Sequence, residues 1–434
     1  MAVLVDISRL IETLHLRTPT GIDRVEMAYA QHFLRAAEKE DVRFVVTWPA
    51  FSGVLDARYA GPLIEEASSH WLAGQADPAQ DRTLQALSQV LHDEPAPTAK
   101  APIHVGPLQQ RKDLPHRARR AATWARSALR PLAGRLLSEL RDSGCWYIHV
   151  SQFRLHRALR FAWMNAARAR GLFMLHDLIP VLHPEYCRPG EADRRQSGVD
   201  TMVARASVIV ANSEYTRRSL LGHFGEQNVP RCEVIALGVA SAFETCRHIA
   251  PVEARVPYFV VVGTIEPRKN LEFLLTLWRR WTDNGNTLRA RLVVVGNRGW
   301  EIENVSNMLD RSVSLAPTVI EAHALGDTGM IALLRGAAAL IAPSWVEGFG
   351  LPVAEALALG TPVLASDIEA HREVGGAFAE YISPVDGPGW VQALEDYASP
   401  HSERRLSRIA LLRNYRPPTW QAHMARVEDL LRER

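Results

Sequence analysis

The sequence has few cysteines, no long apolar run and no excess charge of one sign. Its four cysteines in 434 residues form no CxxC pair or zinc-ligand pattern, which argues against a disulfide framework. No apolar run approaches the roughly 18 residues of a membrane span, and the first residues lack the basic and apolar regions of a signal peptide. The 50 Lys+Arg and 48 Asp+Glu nearly balance, which excludes the basicity of a nucleic-acid coat. These absences predict a cytoplasmic protein that binds no nucleic acid.

Three common phosphate-binding motifs are also missing. The sequence contains no GxGxxG after its first apolar segment, no GxxxxGK[ST] and no Asp-x-Asp pair. The first two motifs cradle phosphates with backbone N–H groups, and paired carboxylates clamp a metal-bound diphosphate. A diphosphate would therefore depend on Lys, Arg and helix N-termini for positive charge, and we expect no metal site.

Short apolar runs alternate with amphipathic stretches, which predicts an α/β fold with parallel sheets. A chain of this length favours two domains, and the proline-containing stretch near 245–256 suggests the linker. We expect an N-terminal domain over 1–248 with an insertion near 50–145, a C-terminal domain over 249–416, and a terminal helix within 417–434. The predicted strands are Val3–Asp6, Arg43–Trp48, Trp146–Val150, Leu172–His176, Ser207–Ala211, Tyr258–Gly263, Arg291–Gly296, Ala338–Ala342 and Pro362–Ser366.

The densest motif is PSWVEGFGLPVAEAL, beginning at Pro343. An apolar strand ends, a glycine-containing loop follows, and Pro352 suits the first turn of a helix. Glu347 in the loop and Glu355 one turn inside the helix would flank a phosphate-sized gap and accept hydrogen bonds from sugar hydroxyls. The alternative is a tight turn with Glu355 merely complementing the helix dipole.

A second motif, GTIEPRKN, follows the predicted strand that ends at Gly263. Its adjacent Arg268 and Lys269 would stand at the carboxyl end of a parallel strand, where open α/β sheets bind ligands. A planar guanidinium fork and a mobile ammonium suit a diphosphate without a metal. Two solvated cations near a helix start are the alternative.

Weaker polar signals follow other strands. His176 could donate to a substrate hydroxyl, with Asp177 fixing its tautomer, although a capped turn explains the pair equally well. Gly21 and Arg24 open the first long helix and offer a second anion-binding position. Asn297 follows another strand on the same sheet edge as Lys269.

Residues 111–135 contain seven Arg and one Lys against one Asp, a local charge of +7. Interleaved leucines and a tryptophan suggest a peripheral contact with an anionic membrane surface, at the inner face of the membrane. The alternatives are solvated arginines, or pairing with the acidic segment over 61–100.

Together these motifs resemble the retaining GT-B glycosyltransferases of glycosyltransferase family 4 (group 1), and within it bacterial mannosyltransferases. The phrases VVGTIEPRKNLEFLL, LVVVGNRGW and EVGG, the PSWVEGFGLP motif with its E-x7-E pair, and HDLIP and NSEYT in the first half carry the resemblance. The long polar loop after the first strand, with its single glycine, departs from the family, and the 50–145 region matches nothing we can place.

The resemblance implies two Rossmann-like domains facing each other across a donor and acceptor cleft. It implies that Arg268 and Lys269 bind the donor diphosphate, that Glu347 holds the donor sugar and that Glu355 binds the ribose. Gly263, Phe349, Gly350, Leu351 and Asn297 would complete the donor site. His176 would face the transferred sugar, and Gly21, Arg24 and Asp177 would lie on the acceptor or phosphate side.

The activity implied is metal-independent transfer of a hexosyl unit, mannose favoured, without a resident cofactor. The donor would be a nucleotide diphosphate sugar, GDP-mannose favoured, and the acceptor a sugar hydroxyl of a glycan or lipid-linked oligosaccharide in bacterial surface polysaccharide assembly. A nucleotide-sugar epimerase of GT-B fold and a non-catalytic nucleotide-sugar-binding subunit are the alternatives. The acceptor, the linkage and the oligomeric state stay open.

Overall fold

The computed structural model contains two α/β units, each built on one sheet. It describes residues 1–14, 19–47, 51–72, 81–94, 101–107, 123, 126–244, 246–283 and 290–433. Every residue of the central strands is buried or nearly so, as expected of parallel strands covered by helices on both faces.

The first sheet has the strand order β5-β3-β2-β1-β6-β7-β8-β9. Its strands are parallel except at one edge, where β3 pairs antiparallel with both β2 and β5. The chain leaves the central strand β1 first toward β2 and later toward β6. The strands are β1 (Ala2–Asp6), β2 (Val42–Thr47), β3 (Ser52–Asp56), β5 (Arg130–Pro131), β6 (Cys145–His149), β7 (Arg170–Leu175), β8 (Val208–Ala211) and β9 (Cys232–Val234).

The second sheet is parallel throughout, with the order β15-β14-β13-β10-β11-β12-β4. Its first strand β10 lies between β11 and β13. The strands are β4 (Ile103–Val105), β10 (Tyr258–Val262), β11 (Arg291–Val295), β12 (Val319–Ala322), β13 (Ala339–Ala342), β14 (Val363–Ser366) and β15 (Glu380–Ile382).

Helices connect the strands and cover both sheets. The α-helices with described bounds are Ser8–Thr13, Gly21–Ala36, Ala57–Leu72, Arg82–His92, Arg135–Ser143, Trp163–Ala167, Ile179–Leu182, Glu191–Arg205, Glu214–Phe224, Ser241–Glu244, Leu271–Asp283, Glu303–Arg311, Asp327–Gly336, Leu351–Ala358, Glu369–Gly375, Gly387–Ala398, Glu403–Leu412 and Trp420–Arg432. Among the described residues, no helix is both long and apolar enough to cross a bilayer.

Part of the expected insertion belongs to the second sheet. β4 pairs in parallel with β12, with Ile103 opposite Ile320, although residues 1–248 were expected to form the first domain. The preceding helix Arg82–His92 ends beside Arg291, whose guanidinium donates to the carbonyls of Val90 and Asp93. β4 thereby covers an edge whose backbone groups would otherwise lack partners.

The helix expected over Arg154–Arg168 is not continuous. A loop leads into a 3₁₀ turn at Ala158–Phe161 and then into the short helix Trp163–Ala167. Gln152 and Arg154 have φ angles of 57° and 62°, which right-handed helix does not allow.

The terminal helix Trp420–Arg432 packs on the first domain. The indole of Trp146 donates to the carbonyl of Leu431 at 3.0 Å, and the hydroxyl of Tyr29 lies 2.8 Å from Nε2 of His423. Most of the basic stretch 111–135 lies outside the described residues, so the membrane contact expected there stays a prediction.

Candidate functional site

The candidate donor site lies where the second sheet reverses its strand order. From β10 the chain continues to β11 on one side, and it later returns to β13 on the other side. The loops after β10 and β13 therefore diverge and leave a crevice, the usual ligand position in open α/β sheets. The backbone N–H of Trp345 donates to the carbonyl of Arg268 at 2.8 Å and joins the two loops.

Three charged residues from these loops form one cluster. Arg268 donates through Nη1 to one oxygen of the Glu347 carboxylate, and Lys269 Nζ lies 2.5 Å from the other. Ser344 Oγ donates to the same carboxylate at 2.8 Å. We call Arg268, Lys269 and Glu347 the donor-loop cluster. Sequence reasoning placed its three members in one site, and the structure brings their charged groups into contact.

Mutual attraction keeps the cluster ionised although only 23% of the Arg268 side chain, 15% of Lys269 and 9% of Glu347 is exposed. Burial alone would raise the pKa of Glu347, but the charges of Arg268 and Lys269 outweigh burial and hold that pKa well below its usual range. Burial lowers the pKa of Lys269, an effect that the Glu347 carboxylate opposes. Glu266 forms a further ion pair with Arg268 at 2.5 Å. An incoming diphosphate would compete with these carboxylates for the two cations.

Two glycines allow the loops to approach so closely. Gly263 has a φ of 140°, and a Cβ there would lie 3.2 Å from Cε of Lys269. Gly350 has a φ of 94° and precedes the helix Leu351–Ala358; a Cβ on it would lie 3.1 Å from the His371 ring. The first N–H groups of this helix lack partners within it and favour an anion. Phe349, between the loop and the helix, is buried.

Glu355 lies inside this helix, apart from the donor-loop cluster. Burial raises the pKa of its carboxyl to about 7, and the charge of Arg24 acts in the opposite direction. Arg24 comes from the first domain, and both of its Nη atoms donate to the Asp327 carboxylate. Gly21, in the same first-domain helix, would place a Cβ 3.9 Å from Leu351. The helix that begins at Gly21 therefore contacts the donor side of the second domain.

His176 contributes its backbone to the contact between the domains. A Cβ on Gly348 would lie 2.2 Å from the His176 carbonyl oxygen, so glycine is required by this approach. Ser213 Oγ donates to the Gly348 carbonyl at 2.6 Å, and Thr216 Oγ1 lies 3.2 Å from the same atom. We call residues 343–350, between β13 and the helix Leu351–Ala358, the donor loop. These contacts hold the donor loop against the first domain.

Asp177 was expected to fix the tautomer of His176, but the two side chains have other hydrogen-bond partners. The His176 ring places Nε2 2.6 Å from the carbonyl of Val150, so this carbonyl sets the tautomer and Nδ1 is left as the acceptor. The Asp177 carboxylate accepts the N–H of Ile179 at 3.1 Å. Burial lowers the pKa of His176 to about 4, which keeps the ring neutral at pH 7.

Asn297 is exposed at the end of β11, and its backbone carbonyl accepts the N–H of Ile265. The structure therefore leaves its side chain outside the buried cluster, because this loop turns its polar groups to the surface.

One group among the described residues has metal-ligating atoms close together: His104, Glu321 and His323. Arg298 already donates to both oxygens of Glu321, at 2.8 and 2.7 Å. Burial would raise the pKa of Glu321, but Arg298 holds it at about 2. The Arg298 guanidinium therefore already balances the charge of the Glu321 carboxylate.

Sequence reasoning missed several residues of the site. Ser344, Glu266 and His371 surround the donor-loop cluster, and Ser213 of the other domain contacts Gly348, the residue after Glu347. The sequence signal for Ser213 was the cap of the helix Glu214–Phe224, a local role that does not disclose a contact with the donor loop.

The comparisons with known proteins agree with this architecture. Residues 244–383 match the family of group 1 glycosyl transferases. The serotype-specific mannosyltransferase WbdA of Escherichia coli is 27% identical over 264 residues, which cover 55% of this chain and 32% of WbdA. The O-antigen chain mannosyltransferase B of E. coli is 25% identical, covering 57% of this chain and 64% of that protein. The chain thus spans about a third of the length of WbdA.

Two solved structures share the fold over nearly the whole chain. Sucrose-phosphate synthase from Thermosynechococcus elongatus superposes with a TM-score of 0.54 at 16% identity, covering 100% of this chain and 98% of that one. A UDP-forming trehalose-phosphate synthase from Burkholderia xenovorans gives 0.55 at 13% identity, covering 99% and 98%. The expected GT-B fold is confirmed: this chain is a GT-B protein whose residues 244–383 match the group 1 glycosyl transferases, and it resembles bacterial mannosyltransferases over about half of its length.

Proposed function

We propose that the protein is a retaining glycosyltransferase that moves a hexosyl unit from a nucleotide diphosphate sugar to a sugar hydroxyl. The acceptor is a glycan or a lipid-linked oligosaccharide in bacterial surface polysaccharide assembly, reached in the cytoplasm or at the inner face of the membrane. The observation that carries the proposal is the donor-loop cluster, two buried cations and a carboxylate at the crevice of the second sheet. GDP-mannose is the favoured donor, which the mannosyltransferase relatives support.

The cluster provides what a diphosphate donor requires. Arg268 and Lys269 exchange the Glu347 carboxylate for diphosphate oxygens, so their charges stay neutralised throughout binding. Glu347 is then free to accept hydrogen bonds from hydroxyls of the donor sugar. Backbone N–H groups at the start of the helix Leu351–Ala358 donate hydrogen bonds to the phosphate, and the Glu355 carboxylate accepts hydrogen bonds from the ribose hydroxyls.

Transfer on one face of the donor sugar accounts for the proposed retention. The bond from the anomeric carbon to the diphosphate oxygen breaks, and the acceptor oxygen bonds to the same face of that carbon. The departing diphosphate oxygen takes the proton of the acceptor hydroxyl. Arg268 and Lys269 stabilise the negative charge that develops on the diphosphate, so the proposal requires no metal ion.

A panel of nucleotide sugars tests the proposal. We expect GDP-mannose to raise the melting temperature most, because binding to the native state stabilises it. Product analysis by NMR should show the anomeric configuration of the donor retained, and activity should survive EDTA. No stabilisation by any nucleotide sugar, an inverted product or strict dependence on Mg²⁺ or Mn²⁺ would each contradict the corresponding part of the proposal.

A further inference from the structure

A second crevice lies at the reversal point of the first sheet. The chain runs from the central strand β1 toward β2 and later returns to β6 on the other side, so the loops after β1 and β6 diverge. A cavity of about 200 Å³ lies there, and the helix Glu191–Arg205 forms its third wall. This volume is below the range of roughly 300–1,000 Å³ typical of pockets for whole ligands. The cavity suits one chemical group rather than an oligosaccharide.

Arginines dominate the wall of this cavity. Arg9 comes from the segment after β1, Arg154 from the loop after β6, and Arg194 and Arg195 from the helix. Glu191 is the sole acid among the described residues that line it. Such an excess of cations around a small concave space favours an anionic occupant.

Two of these arginines have neutral hydrogen-bond partners. Arg194 Nε lies 3.4 Å from Nδ1 of His156, and Arg195 donates to the side-chain oxygen of Gln152. By contrast, Arg9 Nε lies 2.6 Å from an Asp23 oxygen and Arg154 Nη2 lies 3.5 Å from a Glu12 oxygen. Within the described part of the chain, no carboxylate forms an ion pair with Arg195, which is half-buried, or with Arg194, which is exposed.

The loop that carries the opposite wall is strained. Gln152 and Arg154 both adopt left-handed backbone angles, φ of 57° and 62°, which are unfavourable for residues other than glycine. Their side chains are held, because Gln152 accepts from Arg195 and Arg154 donates to the Thr47 carbonyl. Strain of this kind clusters at ligand-binding sites.

The cavity adjoins the point where the domains meet. Both Arg9 and Arg195 act electrostatically on His176, whose carbonyl oxygen is the atom nearest to Gly348 of the donor loop. Ile22, another lining residue, follows Gly21, which approaches Leu351 of the second domain. A group bound in the cavity would therefore lie on the first-domain side of the donor site.

We propose that this cavity binds an anionic group of the glycosyl acceptor, a phosphate or a carboxylate, and that Arg194 and Arg195 are the specificity-determining residues. The inference rests on the proposed transfer activity. The two guanidinium groups offer planar pairs of donors that match phosphate and carboxylate oxygens. On binding, Arg195 exchanges the neutral oxygen of Gln152 for a charged acceptor, which forms a stronger hydrogen bond.

Equilibrium binding to the full chain tests the inference. The probes are octyl phosphate, mannose 6-phosphate and neutral octyl α-mannoside, each titrated calorimetrically in the presence of saturating GDP. We expect at least one charged probe to bind at least about tenfold more tightly than the neutral one, since hydrogen bonds to charged groups are stronger than those to neutral groups. A preference for octyl phosphate indicates a lipid-borne anion, and a preference for mannose 6-phosphate indicates an anion on the sugar.

The double variant Arg194→Gln/Arg195→Gln should lose this preference. Arg205→Gln is the matched control, because Arg205 ends the same helix and donates to Asn165; it should bind as the wild type does. Equal affinity of charged and neutral probes for the wild type would overturn the inference, as would retained binding in the double variant.

Stabilisation by nucleotide sugars is measured separately in all three proteins. If nucleotide sugars do not stabilise the wild type, the proposed function is refuted. If they do stabilise it but charged probes bind no more tightly than the neutral one, only the assignment of the cavity is refuted.

Discussion

At the scale of single residues, the charges of the candidate donor site are paired with one another. Arg268 and Lys269 both pair with the buried carboxylate of Glu347, and Arg268 also pairs with Glu266. Removing one partner of a buried ion pair costs more than the pair itself contributes, because a charge is left without compensation. Without Lys269, Glu347 still pairs with Arg268 and accepts from Ser344. Substitution of Lys269 is therefore expected to act more on chemistry than on folding.

Lys269→Ala should lower turnover by at least about tenfold with the fold intact. The lost charge interaction strengthens as the diphosphate departs, and by analogy with lost oxyanion donors it contributes about 2–4 kcal/mol. The measurement is kcat at saturating donor, with circular dichroism to check the fold. Lys39→Ala removes an exposed lysine of the first domain and should leave turnover unchanged. Near-normal turnover of the Lys269 variant would remove this residue from the proposed mechanism.

Under the proposed function, Glu355 should give donor binding a pH dependence. Burial raises its pKa to about 7, so the carboxyl gains charge as the pH rises from 6 to 8. The ionised form accepts hydrogen bonds from ribose hydroxyls more strongly than the protonated form does. We therefore expect the affinity for the nucleotide sugar to increase over this range, and calorimetry at several pH values measures it. Glu355→Gln should bind more weakly and flatten the profile; an unchanged profile in this variant would assign the dependence to another group.

The donor-loop residues could be predicted from sequence because each follows a predicted strand by a few residues. Parallel strands end at one sheet edge, so their loops meet there whatever the details of packing. His371 and Ser213 could not be predicted in this way, because they contact the site through the packing of two other helices. The tautomer of His176 depends on the Val150 carbonyl of a neighbouring strand, and its own sequence neighbours do not reveal it.

At the scale of elements, apolar length determined which strands the sequence revealed. The nine predicted strands all exist, within one or two residues of the expected bounds. The sequence analysis missed the short or peripheral strands β3, β4, β5, β9, β12 and β15. Most of these lie at or next to a sheet edge, where two to five residues suffice and polar side chains are tolerated, as in Glu380–Ile382. Such segments become strands because a neighbour offers unpaired backbone groups, which local sequence does not encode.

The loop containing Gly348 provides a test at this scale. A Cβ would lie 2.2 Å from the His176 carbonyl oxygen, so Gly348→Ala must push the donor loop away from the first domain. We expect overpacking to cost about 1–3 kcal/mol in urea unfolding and to lower turnover, because the hydrogen bond from Ser213 is displaced as well. Gly222→Ala is the control, since nothing lies within 4 Å of its Cβ position in a helix; it should gain about 0.4–1 kcal/mol. Equal unfolding free energies of the two variants would show that the close approach of Gly348 to His176 is not required for stability.

At the scale of the whole molecule, contacts on both sides of the cleft join the two domains. Ser213 and Thr216 of the first domain contact the Gly348 carbonyl of the second, and Arg24 of the first domain pairs with Asp327 of the second. The terminal helix Trp420–Arg432 returns to the first domain and adds a covalent crossing. The predicted division into domains assigned β4 to the first domain, but β4 belongs to the sheet of the second domain. A three-residue strand has too little apolar pattern to show which sheet it joins.

The ion pair of Arg24 with Asp327 should couple the two domains energetically. Both side chains are largely buried, at 25% and 9% exposure, and burial of Arg24 is offset by its hydrogen bonds to Asp327, which raise its pKa. A double-mutant cycle with Arg24→Ala and Asp327→Ala should give an interaction energy of about 0.5–3 kcal/mol in urea unfolding, because the residues are in direct contact.

An exposed pair provides the comparison for this cycle. Arg135 and Glu139 lie one helical turn apart, with 92% and 45% of their side chains exposed, and such pairs contribute about 0.3–0.5 kcal/mol. Arg24 lowers the pKa of Glu355 and Asp327 raises it. Under the proposed function, Arg24→Ala should therefore weaken nucleotide-sugar binding as well as the contact between the domains, whereas Asp327→Ala should weaken the contact without weakening nucleotide-sugar binding. Additive effects on stability, together with unchanged donor affinity in Arg24→Ala, would show that this helix meets the second domain without linking closure of the cleft to the nucleotide site.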